Sequence, residues 1–234
     1  MDVIVLAGGL GTRLRSVVSE VPKCMAPVAG KPFLWYLLKY LTRYEVSRVV
    51  LSVGYLREVI FKWVDENKSE FPFEFDYAIE TEPLGTGGGI KFALGKVQSE
   101  SAFILNGDTF FDVDLQDLQR QHELSRKFIT MALKPMTNFD RYGTVEYDAG
   151  RGKVVAFNEK KHCDHGLING GVYLVSAKSP IFDGLPEKFS FETAVLEKQC
   201  LAGNIDGVIQ DKYFIDIGIP EDYHRADEEF VNLF

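Results

Sequence analysis

Cysteine is scarce in this chain. Cys24, Cys163 and Cys200 are the only three, they are far apart, and no Cys-x-x-Cys pair occurs. That argues against a disulfide framework or a zinc ribbon, and a reducing, cytoplasmic setting is expected. Long apolar runs are also missing, so nothing approaches the roughly 20 residues that cross a bilayer. The opening Met-Asp-Val-Ile-Val-Leu has no basic stretch ahead of its apolar residues, and reads as a buried strand rather than a secretory leader. No membrane partner is expected. Basic residues are outnumbered, 26 Lys and Arg against 34 Asp and Glu, for a net charge of −8. A nucleic-acid groove needs clustered cations, so that class of partner is disfavoured, while a local basic pocket for a nucleotide is not. Linkers, repeats and low-complexity stretches are absent, and one continuous domain over residues 1–234 is expected.

What is present is ample apolar material, 46% of the residues with 13% aromatic, enough for a sizeable core. Val3 to Leu6, Arg48 to Val53 and Ala102 to Leu105 read as buried strands. Phe73 to Ile79 alternates like a strand. Between them, Pro32 to Tyr44, Leu56 to Glu66 and Thr86 to Leu94 read as helices, the first with Phe33, Leu37, Leu38 and Leu41 on one face. This β-α-β-α order predicts an α/β fold: a Rossmann-like mixed, mostly parallel sheet flanked by helices. After about Phe128 the pattern turns to strands at Ile129 to Leu133, Thr144 to Tyr147, Lys153 to Phe157 and Gly171 to Val175, with hairpins. A short strand at Tyr213 to Ile217 and a closing helix at Pro220 to Phe230 follow. Residues 1–127 are expected to form a nucleotide-binding half, and 128–234 a half that binds the second substrate.

The first strand runs into LAGGLGTRL, Leu6 to Leu14. A strand end leading into glycines exposes several backbone N–H groups in one concave patch, which suits phosphate oxygens. Arg13 adds a permanent charge suited to a pyrophosphate. Gly9-x-Gly11-x-x-Leu14 lacks the third glycine of a dinucleotide fingerprint, and no Gly-Lys-Ser/Thr follows, so this is not a Walker loop either. On these residues alone, a tight turn with a solvated arginine stands beside phosphate binding. Further on, Val-Pro-Lys-Cys-Met-Ala-Pro-Val sets Lys23 between Pro22 and Pro27, which stiffen the segment around it.

From here the chain resembles the sugar-1-phosphate nucleotidyltransferases. Their signature, roughly LAGGxGTRLxPLT…PKPMxPVxGKP, is matched by LAGGLGTRLRSVVSEVPKCMAPVAGKP, with Cys24 replacing a proline. The resemblance spans nearly the whole chain, and its motifs carry residue roles. It implies a nucleotide-diphospho-sugar transferase fold. Leu6, Ala7, Gly8, Gly9, Gly11, Thr12 and Arg13 would hold phosphates, with Lys23 beside them. EPLGTGGGIKFAL would read the base through Glu82, Gly85, Thr86 and Gly87. LNGDTFFDVDL and YFIDIGIPEDY would supply Asp108 and Asp216 as ligands of Mg2+, the expected cofactor. FNEKK, LINGGVYLV and NFDRYGTV would supply Glu159, Lys160, Asn169 and Gly143 to the sugar phosphate.

The residues themselves leave alternatives beside several of these roles. Asp108 and Asp216 each follow an apolar run, and the competing reading is two unrelated turn residues. Asp112 and Asp114 are read as caps or solvated groups near a helix starting at Leu115. A carboxylate accepts both donors on the guanine edge, whereas an amide suits uracil or thymine better. Glu82 is assigned that task, with Glu80 its competitor two residues away. Gly85 and Gly87 would let base and ribose lie against backbone. For Lys160 the competing reading is an ordinary surface charge, the one given to Lys161, against which the apolar run Val154 to Phe157 suggests a strand that delivers Glu159 and Lys160 to one place. His-Cys-Asp-His at 162–165 is read as a loop rather than a zinc site, since it lacks a distant partner cluster. Cys24 is read as a buried filler, and Trp35, Tyr36 and Tyr40 as core and helix surface.

The implied reaction is in-line displacement at the α-phosphorus of a nucleoside triphosphate by a sugar 1-phosphate oxygen, with pyrophosphate leaving. Arg13, Lys23, Asp108 and Asp216 would carry the catalysis. The wording is closer to one subgroup, the bacterial D-glycero-α-D-manno-heptose 1-phosphate guanylyltransferases, through RSVVSEVPKCMAPVAGKPFLWYLLKYL, NFDRYGTV, GLINGGVYL and KFSFE. That subgroup implies GTP and a heptose 1-phosphate as substrates and a role in surface-polysaccharide synthesis. Rivals are a mannose 1-phosphate guanylyltransferase, a uridylyltransferase for an amino-sugar phosphate, a nucleotide-binding regulatory homologue, and a nicotinamide-dependent oxidoreductase, which the missing third glycine disfavours. A homo-oligomer is compatible with the sequence, which does not specify one.

Overall fold

The computed structural model describes residues 1–9, 14 and 20–234. The elements run β1 Asp2–Leu6, β2 Pro27–Val28, β3 Lys31–Pro32, α1 Phe33–Leu41, β4 Arg48–Val53, α2 Arg57–Asn67, β5 Glu74–Ile79, α3 Gly85–Leu94 and β6 Ser101–Asn106. They continue with β7 Thr109–Phe111, α4 Leu115–Ser125, β8 Ile129–Phe139, β9 Gly143–Asp148, β10 Lys153–Lys160 and β11 Cys163–Ser176. A π-helical turn at Glu192–Leu196 leads into α5 Glu197–Leu201, then β12 Ile205–Ile209, β13 Phe214–Asp216 and α6 Pro220–Leu233.

Nine strands make one sheet in the order β5-β4-β1-β6-β11-β8-β12-β10-β9, with β9 also touching β11. The first four are parallel: Leu6 pairs with Ser52 on one side and Asn106 on the other, and Val53 pairs with Ile79. The later strands turn antiparallel, β11 against both β6 and β8, except that β12 returns parallel to β8. Side chains alternate across a strand, so β1 sends Val3 and Val5 into one core and Ile4 into the other. The first core takes α1 and α6 through residues such as Leu37, Leu38 and Phe230; the second takes α3 and the π-turn through Ile90, Ala93 and Val195. A sheet covered on both faces explains why β1, β4 and β6 are near-continuous apolar runs.

Two details of the second half depart from the sequence reading. β8 and β11 are longer than expected, because they continue as a paired arm in which Thr137 faces His165 and Met136 faces Gly166. His162 to His165 is therefore a turn and a strand start, with His162 Nε2 3.4 Å from Asp164 Oδ1. Polar residues in that arm hide the alternation that marks a half-buried strand. Asp114 is the helix cap expected of it, accepting from the amides of Gln116 and Asp117, whereas Asp112 pairs with Arg43.

Parallel pairing brings the carboxyl ends of β1, β4, β5 and β6 to one edge of the sheet, where open α/β sheets bind ligands. Leu6-Ala7-Gly8, Val53-Gly54, Ile79-Glu80 and Asn106-Gly107-Asp108 all emerge there. The antiparallel β11 delivers Asn169 to Gly171 to the same edge, since Val172 pairs with Leu105. The small β7–β13 ladder places Asp216 opposite Thr109, next to Asp108. Ile217 N–H donates to the Asp108 carbonyl at 3.0 Å, closing that corner.

Candidate active site

Two cavities open side by side along this edge. The first, about 450 Å3, is lined by Leu6, Ala7, Gly8 and Gly9 from the β1 end, by Lys23, by Gly85 and Thr86 at the start of α3, and by Asp108. The second, about 710 Å3, is lined by Gly143, Glu159, Lys160, Asn169 and Asp216, together with Asp108. Asn106, Asp108 and Glu192 belong to both walls, so each cavity draws on both halves of the chain. Gly11, Thr12 and Arg13 lie outside the described residues.

The junction of the cavities is electrostatic. Lys23 Nζ sits 2.5 Å from Asp108 Oδ2 and 3.6 Å from Asp216 Oδ1, with the lysine side chain only 11% exposed. Asp216 Oδ1 also accepts from the Gly218 amide at 2.7 Å. A Cβ on Gly218 would fall 2.7 Å from that oxygen and 3.2 Å from Lys23 Nζ, so a side chain there would push the carboxylate and the ammonium out of place. Pro22 and Ala26 bracket the 3-10 turn at Lys23–Met25 and keep the lysine pointed at the acids. Cys24 is fully buried behind it. Burial, and then the charge of Asp108, push its thiol up to about 12, so it stays protonated and is no nucleophile.

Of the two carboxylates weighed for the base, the structure brings Glu80 and not Glu82 to the first cavity. Glu82 is exposed and lines neither cavity, whereas Glu80 lines the first. Glu80 directly follows β5 and stays tied to the sheet, its amide donating to the Val53 carbonyl at 2.8 Å, while Glu82 lies further out in the turn. The Glu80 carboxylate is fixed at both oxygens: Oε1 accepts from Ser52 Oγ at 3.0 Å and Oε2 from the Leu84 amide at 3.0 Å. Glycines frame it, since a Cβ on Gly89 would meet Oε1 at 2.8 Å and one on Gly8 at 3.2 Å. Gly87 likewise does not line the cavity. It is buried beneath Phe189, whose Cε2 a Cβ would approach to 2.2 Å, so its smallness serves packing rather than a base. Gly85 does line the cavity, with φ +74 and the Phe189 carbonyl 2.6 Å from an added Cβ.

Glu192, the last residue of KFSFE, stands in the wall of both cavities. Its Oε2 accepts from Thr86 Oγ1 at 2.8 Å and from Ser190 Oγ at 2.7 Å, while Thr86 Oγ1 accepts from the Phe191 amide at 2.9 Å. This set ties the start of α3 to the π-turn 106 residues later in the chain. Asn169 is held as well: its Nδ2 donates to Tyr173 Oη at 2.7 Å and its Oδ1 accepts from the Gly171 amide at 3.0 Å. Among the described residues, no group of three or more His, Cys, Asp or Glu side chains is placed to hold a metal. The Asp108–Asp216 pair is the acidic corner that remains. No helix among the described residues is long and apolar enough to cross a membrane.

A mixed α/β sheet with a glycine-lined cavity at its carboxyl edge, an acid pair and an aimed lysine defines a class of phosphate-handling proteins, and residues 2–232 match the nucleotidyl transferase family, to which the chain belongs. Among curated relatives, it is 48% identical over 229 residues to the D-glycero-α-D-manno-heptose 1-phosphate guanylyltransferase of Aneurinibacillus thermoaerophilus, covering 98% of each chain. It is 33% identical to the mannose-1-phosphate guanylyltransferase of Mycobacterium tuberculosis, covering 99% of this chain and 65% of that one. The crystal structure of HddC from Yersinia pseudotuberculosis complexed with GMP-PN superposes with a TM-score of 0.87 at 38% identity, over 98% of this chain and 99% of that one.

Proposed function

We propose that this protein transfers GMP from GTP to D-glycero-α-D-manno-heptose 1-phosphate, giving GDP-heptose and pyrophosphate. The observation that carries the reading is the shared wall: the glycine-lined cavity and the hydroxyl-reading cavity meet at Asp108, with Lys23 and Asp216 beside it. Two substrates seated in such cavities present a phosphate monoester to an α-phosphate across that wall. The choice of heptose over mannose follows the relative matched at 48% over nearly its full length. We read the chain as one domain, the first half chiefly for nucleotide and the second chiefly for sugar phosphate.

No protein nucleophile is required, because a phosphate monoester is already anionic at neutral pH. Catalysis rests on positioning and on neutralising charge. In this reading the amides of Gly8 and Gly9 and the side chain of Arg13 hold the departing pyrophosphate. Lys23, already next to both acids, meets the charge that develops at the α-phosphate. Glu80, rather than Glu82, accepts from guanine N1–H and N2–H2, using the lone pairs that Ser52 and Leu84 leave over. Asn169 and Glu159 read sugar hydroxyls, and Lys160 draws in the sugar phosphate. The donor set also fits a hard divalent cation, since two carboxylates converge on one ammonium. Asp108 and Asp216 would hold Mg2+, which when bound neutralises phosphate oxygens and draws the two phosphate groups together.

The test is a matrix of four nucleoside triphosphates against heptose, mannose, glucose and N-acetylglucosamine 1-phosphates, read as pyrophosphate release. The pair GTP and heptose 1-phosphate should give the highest kcat/KM. A higher value for mannose 1-phosphate or for UTP would replace the substrate assignment, and no release from any pair would remove the reaction.

A further inference from the structure

The sugar-side cavity is short of positive charge for the ligand it is to hold. Among its described lining residues Lys160 is the one basic group, against Asp108, Glu159, Glu192 and Asp216. A sugar 1-phosphate brings close to two negative charges at neutral pH, and must be brought up to a second phosphate that is itself anionic. Adjoining this cavity is a smaller recess of about 330 Å3, with Lys160 and Asp216 in both walls and Arg141, Gly218 and Ile219 added. The mechanism above does not use Arg141.

Arg141 enters this recess from the turn between β8 and β9, and its outer end is anchored. Nη2 donates to Oδ2 of Asp222, on the first turn of α6, a carboxylate only 9% exposed. The other oxygen of Asp222 is taken by Arg225 Nη2 at 3.2 Å. One carboxylate therefore serves two guanidiniums, and the second of them, Arg225, is also met by Glu229, with Nε 3.8 Å from Oε1, so Asp222 is shared rather than spent on Arg141 alone. A guanidinium has five N–H donors; among the described residues only Nη2 of Arg141 is engaged in a hydrogen bond, and the side chain remains 41% exposed. Arg141 Cζ also lies 5.5 Å from the centre of the Tyr142 ring, which restrains the plane of the fork.

We infer that Arg141 is a second phosphate-binding cation: the recess between Arg141 and Lys160 receives the phosphate group of the sugar 1-phosphate, and Asp222 is the positioning residue that aims Arg141. This rests on the proposed function in taking a sugar 1-phosphate as the acceptor. Planar, multiply donating recognition of a phosphate monoester is the task for which arginine is suited and lysine is not equivalent. The competing role is a structural tie between the β8–β9 turn and α6, which would hold the fold together and touch no ligand.

The experiment uses the full chain with Arg141→Met, Arg141→Lys and Asp222→Asn. Binding of inorganic phosphate is followed by 31P NMR line broadening, and binding of a non-hydrolysable GTP analogue by calorimetry. The KM for heptose 1-phosphate is measured alongside. Losing a hydrogen-bonded charge contact should raise that KM about 10- to 100-fold in Arg141→Met, weaken phosphate binding by a similar factor, and leave the affinity for the analogue within about twofold. Arg141→Lys should recover part of the loss, and Asp222→Asn should show a smaller loss of the same kind. If KM and phosphate binding stay unchanged in Arg141→Met, the inference fails. It fails too if affinity for the analogue and Tm fall together with them, since a mere tie would do that; Arg141→Lys answers the question should Arg141→Met not fold. If the wild type transfers nucleotide to no sugar phosphate, the proposed reaction fails, while the phosphate titration still reads Arg141 by itself.

Discussion

Replacing Glu80 by Gln tests base recognition with almost no change of shape. Each carboxylate oxygen now accepts one internal bond, from Ser52 Oγ and from the Leu84 amide, both at 3.0 Å. The Leu84 amide can only donate, so the Gln oxygen must face it. The Gln nitrogen then faces Ser52, whose hydroxyl can turn and accept. The fold keeps its bonds, but the edge offered to the base changes from two acceptors to one acceptor and one donor. Guanine, with two donors on that edge, loses one charge-assisted bond and meets an N–H with an N–H. The loss is about 2–3 kcal/mol, or roughly 30- to 150-fold in kcat/KM for GTP. Uracil offers a donor beside an acceptor and should gain relative to guanine. The assay is kcat/KM for GTP and UTP at saturating sugar phosphate, with Glu82→Gln as the comparison, expected within about twofold of wild type for both. A GTP-to-UTP ratio unmoved in Glu80→Gln, or lost in Glu82→Gln, would refute the placement.

Three further outcomes follow from the same geometry. Gly88→Ala would set a Cβ 2.1 Å from the Glu187 carbonyl oxygen, a clash with backbone that no rotamer relieves. Strain of about 1–3 kcal/mol should lower Tm by roughly 2–12 °C, and an unchanged Tm would mean that the Glu187 backbone does not press on α3. Asp108→Asn should reduce turnover by far more than it weakens binding of a GTP analogue, measured at saturating Mg2+; full turnover would take Asp108 out of the reaction. His122 is buried, with Nδ1 2.8 Å from Thr130 Oγ1 and Nε2 3.1 Å from Ser176 Oγ, and burial lowers its pKa. The unfolded chain therefore takes up a proton near pH 6.5, before the folded one does, so this contribution to stability is complete above that pH and declines as pH falls below it. The urea midpoint should drop between pH 7.5 and 5.5 by more in wild type than in His122→Asn; equal drops would assign the effect to other groups.

Much of this site was legible because strand ends declare themselves. Val3 to Leu6 and Ala102 to Leu105 are apolar through and through, and the residues that follow them, the Gly8-Gly9 pair and Asn106 to Asp108, sit at the sheet edge for that reason. Asp216 was legible in the same way from Tyr213 to Ile217, although its closeness to Asp108 depends on the two-strand ladder with β7. Glu80 and Glu82 were not separable, since both lie where a strand becomes a turn, and it is the bond from the Glu80 amide to Val53 that holds Glu80 against the sheet end. Gly87 misled because a glycine that makes room for Phe189 looks the same in sequence as one that makes room for a base. Glu192 and Arg141 lie in stretches that mark the subgroup, KFSFE and NFDRYGTV, but nothing local gave either a role. Their partners Thr86 and Asp222 are remote in the chain, and such contacts have no periodicity to read. The β8–β11 arm was shortened for a related reason: polar residues such as Thr137 and His165, a pair in the arm, and Pro135 break the apolar run on both strands.

The central claim is displacement at the α-phosphorus of GTP across the Asp108 wall, and isotope position tests it most directly. Purified protein is given heptose 1-phosphate, Mg2+ and GTP labelled with 32P at either the α or the γ position, and the products are separated. The account predicts that α label enters the sugar nucleotide and γ label leaves in pyrophosphate. Appearance of γ label in the sugar product, or its release as inorganic phosphate with no sugar nucleotide formed, would contradict it.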